Sequence, residues 1–64
     1  MTVLLNGSPV EVRGPAMIAD LLAGQEIRGT AVALNGVVVP RHRLGVQPLA
    51  DGDRVEWVTA VQGG

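Results

Sequence analysis

The stretch Leu5-Asn6-Gly7-Ser8 joins two short apolar runs, and Leu34-Asn35-Gly36-Val37 repeats the same arrangement further along the chain. Asn-Gly is the favoured central pair of a two-residue type I′ turn, because both of its residues accept a positive φ at low cost. Each stretch therefore predicts a β-hairpin, and working outward from the two turns assigns most of the chain.

The first turn fixes a register in which Leu5 pairs with Ser8, and the pairing then continues outward. Side chains alternate between the two faces of a strand. One face of this hairpin is apolar, and we assign it to the core: Val3, Leu5, Val10 and Val12. Pro9 has no N–H to donate, so the second strand is predicted to lie at an edge of the sheet.

The second turn joins strand 30–34 to strand 37–40. The same register and alternation of side chains predict a core face made of Val32, Leu34, Val37 and Val39. The opposite face is also apolar and consists of Ala31, Ala33 and Val38. The inward face of this hairpin is therefore less sharply specified than that of the first.

Between the hairpins the apolar period changes to that of a helix. A single stripe is formed by Met17, Ile18, Leu21 and Leu22. Pro15 suits a first helical turn, and Gly24 suits a left-handed C-terminal cap. Residues 41–50 look irregular, Asp51 and Asp53 are expected to cap a turn around Gly52, and a last strand runs from 54 to about 60.

The order hairpin, helix, hairpin, loop, strand predicts an α+β fold. A mixed sheet of four to five strands would be covered on one face by a single helix. The expected organisation is one domain over residues 1–60, followed by a flexible tail over residues 61–64. Core packing should place Val55 and Trp57 toward the helix.

Composition excludes several classes of function. The 64 residues contain no cysteine, so thiolate metal sites, disulfides and a cysteine nucleophile are absent. The net charge is −1, the five basic residues are all arginine, and Trp57 is the only aromatic residue. Neither a basic stripe nor a base-stacking surface is available for nucleic acid. With no span-length apolar run and no signal-peptide pattern, we expect a cytoplasmic protein that does not enter a membrane.

The C-terminal part resembles a known family. The segments Asp51-Gly52-Asp53-Arg54-Val55-Glu56 and Val58-Thr59-Ala60-Val61-Gln62-Gly63-Gly64 are similar to the ThiS-type sulfur carriers of thiamine biosynthesis. Asn35-Gly36 followed by Val39-Pro40-Arg41 fits the same family, and so does the N-terminal strand. The resemblance covers essentially the whole chain and implies the β-grasp, or ubiquitin-like, fold. Trp57 departs from the family, which usually has an aliphatic residue at this position.

The resemblance also implies a function in which the chain is a protein cosubstrate and has no catalytic residue. An E1-like (ThiF-type) enzyme would use ATP to adenylate the carboxylate of Gly64. Sulfur from a cysteine desulfurase would then replace AMP, giving a thiocarboxylate that supplies a (ThiG-type) thiazole synthase. Gly63, Gln62 and Val61 would be recognised as the tail. The chain itself would bind no cofactor or metal and would be a monomer when free.

Partners would need a rigid surface beside the tail. If the first and last strands are neighbours, Leu4, Val58 and Ala60 should form an apolar docking patch on the open face of the sheet. His42, between Arg41 and Arg43, could contact a phosphate or a partner's carboxylate, although a solvated loop histidine is the more ordinary interpretation.

Three other functions stay open from sequence. The chain could be a sulfur carrier of another pathway, such as a relative of the small subunit of molybdopterin synthase. It could be a ubiquitin-like modifier that is transferred to lysines, or a β-grasp binding module in which the tail is incidental.

Overall fold

The computed structural model describes residues 1–23 and 30–59, with the side chain of Thr59 left out. Within these residues, five strands, one short helix and one 3₁₀ turn follow each other. Their order is β1 (Thr2–Leu5), β2 (Ser8–Glu11), α1 (Ile18–Leu21), β3 (Thr30–Leu34), β4 (Val37–Val39), the 3₁₀ turn (Arg41–Arg43) and β5 (Arg54–Thr59). Within the described ranges, no helix is long and apolar enough to cross a membrane.

The strands form one mixed sheet in the order β2-β1-β5-β3-β4. The last strand therefore lies in the middle, parallel to β1 and antiparallel to β3. Both hairpins have the predicted registers, with Leu5 opposite Ser8 and Leu34 opposite Val37. Asn6 and Asn35 have φ values of 50° and 51°, as type I′ turns require. The prediction that the strand with Pro9 is an edge is confirmed.

One face of the sheet carries the core. Its fully buried side chains are Val3, Ile18 and Val55, and Trp57 packs against them half-buried. The first hairpin presents the predicted face, because Leu5, Val10 and Val12 also pack against this core. On the second hairpin Val37 was assigned to the core, and that assignment is wrong. Its side chain is 68% exposed because it sits at the start of an edge strand, beyond the helix.

The helix is shorter than predicted and begins later. Pro15 was placed in its first turn, but the helix begins at Ile18, after an extended Met17 with ψ of 164°. The backbone N–H of Met17 donates to Asp20 Oδ2 at 2.8 Å, which caps the helix start. Ile18 and Leu22 are buried, whereas Leu21 is only half-buried. The predicted cap at Gly24 lies outside the described residues.

The loop between β4 and β5 fixes where the helix starts. The carbonyl oxygens of Gln47 and Leu44 accept hydrogen bonds from the N–H groups of Ile18 and Ala19, both at 3.0 Å. Those N–H groups belong to the first turn of the helix and have no partner inside it. Leu44 and Leu49 are buried, so this irregular loop also contributes to the core.

Candidate functional site

The central strand β5 carries the candidate site, because the predicted tail follows it directly. Strand β5 ends at Thr59, opposite Thr30 of β3. The residues predicted to be adenylated or recognised as the tail lie outside the described residues: Val61, Gln62, Gly63 and Gly64. Ala60 of the predicted docking patch also lies outside them. The structure therefore defines the base from which the tail leaves.

The side chain of Asn6 extends the pairing between β1 and β5 beyond the last backbone pair. Its Nδ2 donates to the carbonyl oxygen of Trp57 at 2.9 Å, and its Oδ1 accepts from the N–H of Trp57 at 2.8 Å. The amide thus replaces the backbone donor and acceptor that a longer β1 would supply. It holds the middle of β5 two residues before Thr59.

The side chain of Asn35 secures the beginning of the same strand. Its Oδ1 accepts from the N–H of Arg54 at 2.9 Å, and its Nδ2 donates to Asp53 Oδ1 at 3.0 Å. The other oxygen of Asp53 accepts from the N–H of Ala50 at 2.8 Å. Asp51 accepts from the N–H of Thr2, also at 2.8 Å. The prediction of a cap on the turn around Gly52 is confirmed for Asp53, whereas Asp51 instead ties this turn to β1.

The open face of the sheet separates two members of the predicted docking patch. Leu4 lies opposite Arg54, whereas Val58 lies opposite Ala31 on the other side of β5. Arg54 and Val58 are four positions apart along the extended strand, which is roughly 13 Å. Leu4 is half-buried and Val58 is 58% exposed. The two residues therefore share a face without adjoining each other.

Val58 instead adjoins small and branched apolar residues of the second hairpin. We define the open-face patch by four residues: Ala31, Ala33, Val38 and Val58. Ala33 is opposite Val38, and Val38 is 67% exposed. The apolar alternation of β3 and β4 already indicated three of these residues, but only the β3–β5 register joins them to Val58.

Charged groups lie at the edge of the sheet furthest from this patch and in the 3₁₀ turn. At the far side of the sheet, the hydroxyl of Thr2 donates to Glu11 Oε1 at 2.9 Å, and the terminal ammonium of Met1 lies 3.3 Å from Glu11 Oε2. The hydroxyl bond and the ammonium together hold the pKa of the Glu11 carboxyl below its usual range. His42 is exposed in the 3₁₀ turn between two arginines.

In residues 1–23 and 30–59 no three His, Asp or Glu side chains are grouped as metal ligands. Four polar side chains near β5 form hydrogen bonds that hold a turn or a strand: Asn6, Asn35, Asp51 and Asp53. We call this arrangement the platform: a central strand held in place by hydrogen bonds, with an exposed apolar surface on one face of the sheet.

Comparison with known proteins identifies what kind of platform it is. Residues 3–64 match the model of the ThiS family. The chain belongs to the ThiS family. A curated ThiS-family member of Thermus thermophilus, named sulfur carrier protein ThiS, is 40% identical over 63 residues, covering 97% of this chain and 98% of the relative. The resemblance drawn from the two asparagine turns and the C-terminal segments is confirmed.

Solved ThiS structures confirm the β-grasp fold as well. The crystal structure of the thiamine biosynthesis protein ThiS from Geobacter metallireducens is 30% identical, with a TM-score of 0.85 and full coverage of both chains. A solution structure of a thiamine biosynthesis protein from the same organism gives a TM-score of 0.72 at 30% identity, covering all of this chain and 88% of the other. The five-stranded sheet is therefore the ThiS form of the ubiquitin-like fold.

Proposed function

We propose that this chain is a sulfur carrier of thiamine biosynthesis and that its working group is the carboxylate of Gly64. The observation that carries the proposal is the ThiS family match, which runs through Gly63 and Gly64. The near full-length likeness to a named sulfur carrier protein supports it.

The chemistry begins with a group that needs activation. A free α-carboxyl has a pKa of roughly 3.3–3.7, so it is a carboxylate at neutral pH and a poor electrophile. An E1-like, ThiF-type enzyme would join it to AMP from ATP, releasing pyrophosphate. The outer sulfur of a persulfide formed by a cysteine desulfurase would then displace AMP, and a thiol would reductively cleave the S–S bond of the resulting acyl disulfide to leave a thiocarboxylate. A ThiG-type thiazole synthase would take that sulfur for the thiazole of thiamine.

The platform suits a carrier that must reach into another protein. Five residues follow Thr59, and a fully extended chain of that length spans at most about 17–18 Å. Glycine has no Cβ, so Gly63 and Gly64 would fit a narrow channel. The activating enzyme would recognise Val61 and Gln62 as the tail enters this channel. Strand β5 supplies the fixed base, because both neighbouring strands and Asn6 hold it.

The open-face patch is the surface on which we expect these enzymes to dock. It begins at Val58, one residue before the end of β5, and continues across β3 to Val38. No layer of described residues covers this face of the sheet, since the helix and the buried loop residues pack on the other. Ala60 would extend the patch toward the tail, whereas Leu4 lies apart from it.

The test is the mass of the protein after reaction. The chain is incubated with its activating enzyme, ATP, a cysteine desulfurase, cysteine and a thiol reductant. We expect the intact mass to change by one oxygen exchanged for sulfur. Deletion of Gly64 should abolish both AMP formation and the mass change, whereas Arg13→Gln, a change at the other end of the sheet, should keep them. Unchanged AMP formation by the deletion variant would refute the assignment of Gly64.

The same reaction separates the proposed function from its alternatives. A modifier would give adducts to lysine side chains of other proteins in place of a thiocarboxylate. A carrier of another pathway would form the thiocarboxylate but would not supply a thiazole synthase with sulfur.

A further inference from the structure

Both asparagines of the chain are followed by glycine, at Asn6-Gly7 and Asn35-Gly36. Glycine has no Cβ to shield its backbone nitrogen, so that nitrogen can attack the Cγ of a preceding asparagine. Asn-Gly is for this reason the pair most prone to deamidation, a covalent change that the proposed sulfur chemistry does not use. All four residues are exposed, so water reaches both pairs.

The reaction needs only water as a co-reactant. The backbone nitrogen of Gly36 would bond to Cγ of Asn35 and lose its proton, while the Cγ–Nδ2 bond breaks and ammonia leaves. Water then opens the resulting succinimide at one of its two carbonyl carbons and gives aspartate or isoaspartate. Asparagine and water thus become a carboxylic acid and ammonia, and no oxidant or reductant is required.

Hydrogen bonds to β5 hold both asparagine side chains in the folded protein. Before it can cyclise, the amide of Asn35 must release the N–H of Arg54 and Oδ1 of Asp53. The amide of Asn6 must release both backbone groups of Trp57. The rate at each site therefore depends on how often the amide leaves β5, which is a local opening with its own free energy.

The structure favours opening at Asn35 over opening at Asn6. One of the two partners of Asn35 is the carboxylate of Asp53, which can rotate, whereas both partners of Asn6 are backbone groups of the central strand. The hairpins also differ in length, because β4 pairs with β3 through three residues and β2 pairs with β1 through four. The first hairpin is closed further out by the N–H of Val12, which donates to the carbonyl oxygen of Met1 at 2.7 Å. A shorter paired segment at the edge of a sheet opens at lower cost.

Deamidation at Asn35 would turn one of its two hydrogen bonds into a repulsion. One carboxylate oxygen would still accept the N–H of Arg54, but the other would face Oδ1 of Asp53 in the place of Nδ2, which lies 3.0 Å away. Two carboxylates at that distance repel each other. Since Asp53 also accepts the N–H of Ala50, the repulsion would disturb the turn that leads into β5.

We propose that Asn35 is a site of spontaneous deamidation, and that its conversion irreversibly detaches the second hairpin turn from the start of β5. The inference goes beyond the proposed function and does not depend on it. Asp-Gly also suits a type I′ turn, so the aspartate form should lose its bond to Asp53 while keeping the hairpin. The isoaspartate form adds one carbon to the backbone and should lose the turn as well.

Peptide mapping by mass spectrometry tests the site. The protein alone is incubated at mildly alkaline pH, either folded or in concentrated guanidinium chloride, and aspartate and isoaspartate are measured at both Asn-Gly pairs over time. We expect Asn35 to react about fivefold faster than Asn6 in the folded protein, and the two to react at similar rates when unfolded. Equal rates in the folded protein, a faster Asn6 or no reaction at all would overturn the proposal. So would a preference for Asn35 that is equally large in guanidinium chloride, because it would come from local sequence and not from the fold.

Substituted chains test the consequence of the reaction. Asn35→Asp reproduces the aspartate product and should lower the folding equilibrium constant about tenfold at neutral pH, measured by denaturation. Combining Asn35→Asp with Asp53→Asn is the matched control, since it exchanges donor and acceptor and restores the net charge. The amide at position 53 would donate to the carboxylate at position 35 and still accept the N–H of Ala50, so most of the loss should be recovered. A stable Asn35→Asp protein, or a double variant no more stable than it, would overturn the detachment of β5.

Discussion

Asn6 and Trp57 are 51 residues apart in sequence, yet the side-chain amide of Asn6 is hydrogen-bonded to both the carbonyl oxygen and the N–H of Trp57, at 2.9 and 2.8 Å. Asn6 therefore does two things at once. It accepts the positive φ of the hairpin turn, and it ties that turn to the central strand.

Replacing Asn6 with glycine separates these two contributions. Glycine keeps the freedom to adopt positive φ but loses both hydrogen bonds to Trp57. We expect Asn6→Gly to lower the free energy of unfolding by about 1–3 kcal/mol, at about 0.5–1.5 kcal/mol per hydrogen bond. Urea denaturation measures this loss. Ser8→Ala, an exposed change in the same hairpin, should cost a few tenths of a kcal/mol, and equal losses would contradict the role of the amide.

The helix offers a second contrast between neighbouring residues. Ile18 is fully buried and Ala19 is exposed. Ile18→Ala should cost about 2–5 kcal/mol, because it leaves a cavity between the helix and the sheet. Ala19→Ser should cost a few tenths of a kcal/mol. If thermal melting shows the same loss for both, the core has been misassigned.

Acid stability should depend on Glu11. The lowered pKa of its carboxyl means that its contribution to stability is present above the ordinary value of 4.5 and is lost as pH falls through the folded-state pKa. Glu11→Gln should therefore reduce stability at neutral pH and flatten the fall of stability below about pH 4.5. Urea midpoints measured from pH 3 to 7 would show this. Glu56→Gln, on the same face, should keep the slope, and an unchanged slope in Glu11→Gln would count against the pairing with Thr2 and the terminal ammonium.

The open-face patch can be tested apart from stability. Val58→Asp should weaken binding to the activating enzyme and to the thiazole synthase, with little change in melting temperature, because Val58 is 58% exposed. Leu4→Asp tests whether the separation of Leu4 from Val58 matters, and we expect a smaller effect on binding. Trp57→Ala should instead lower stability, since its side chain packs on the core. Wild-type affinity in a folded Val58→Asp protein would remove the patch from the docking surface.

Local patterns predicted those parts of the fold that local interactions determine. Asn6 and Asn35 fix their turns through their own backbone preferences, so both registers followed from sequence. The start of the helix did not follow, because carbonyl groups of Leu44 and Gln47, far along the chain, determine it. Leu44 and Leu49 were missed as core residues for a related reason, since an irregular loop has no period from which burial can be read.

The candidate site shows the same division. The sequence of β5 alone predicted that Val55 and Trp57 face the core while Glu56 and Val58 face the other side of the sheet, and this prediction is confirmed. The grouping of Val58 with Ala31 could not be predicted in this way, because the pairing of β5 with β3 depends on the whole sheet. The hydrogen bonds from Asn6 to Trp57 have no local signature at all.

The sheet order has a consequence for how the protein matures. Strands β1 and β3 belong to separate hairpins and meet only through β5, which follows both hairpins in the sequence. Each hairpin can form from local contacts, but the sheet is incomplete until β5 enters between them. A nascent or partly unfolded chain thus lacks both the fixed base of the tail and Val58 of the open face. Enzymes that require both features would distinguish mature molecules from immature ones, so ATP and sulfur would not be spent on chains that have yet to fold.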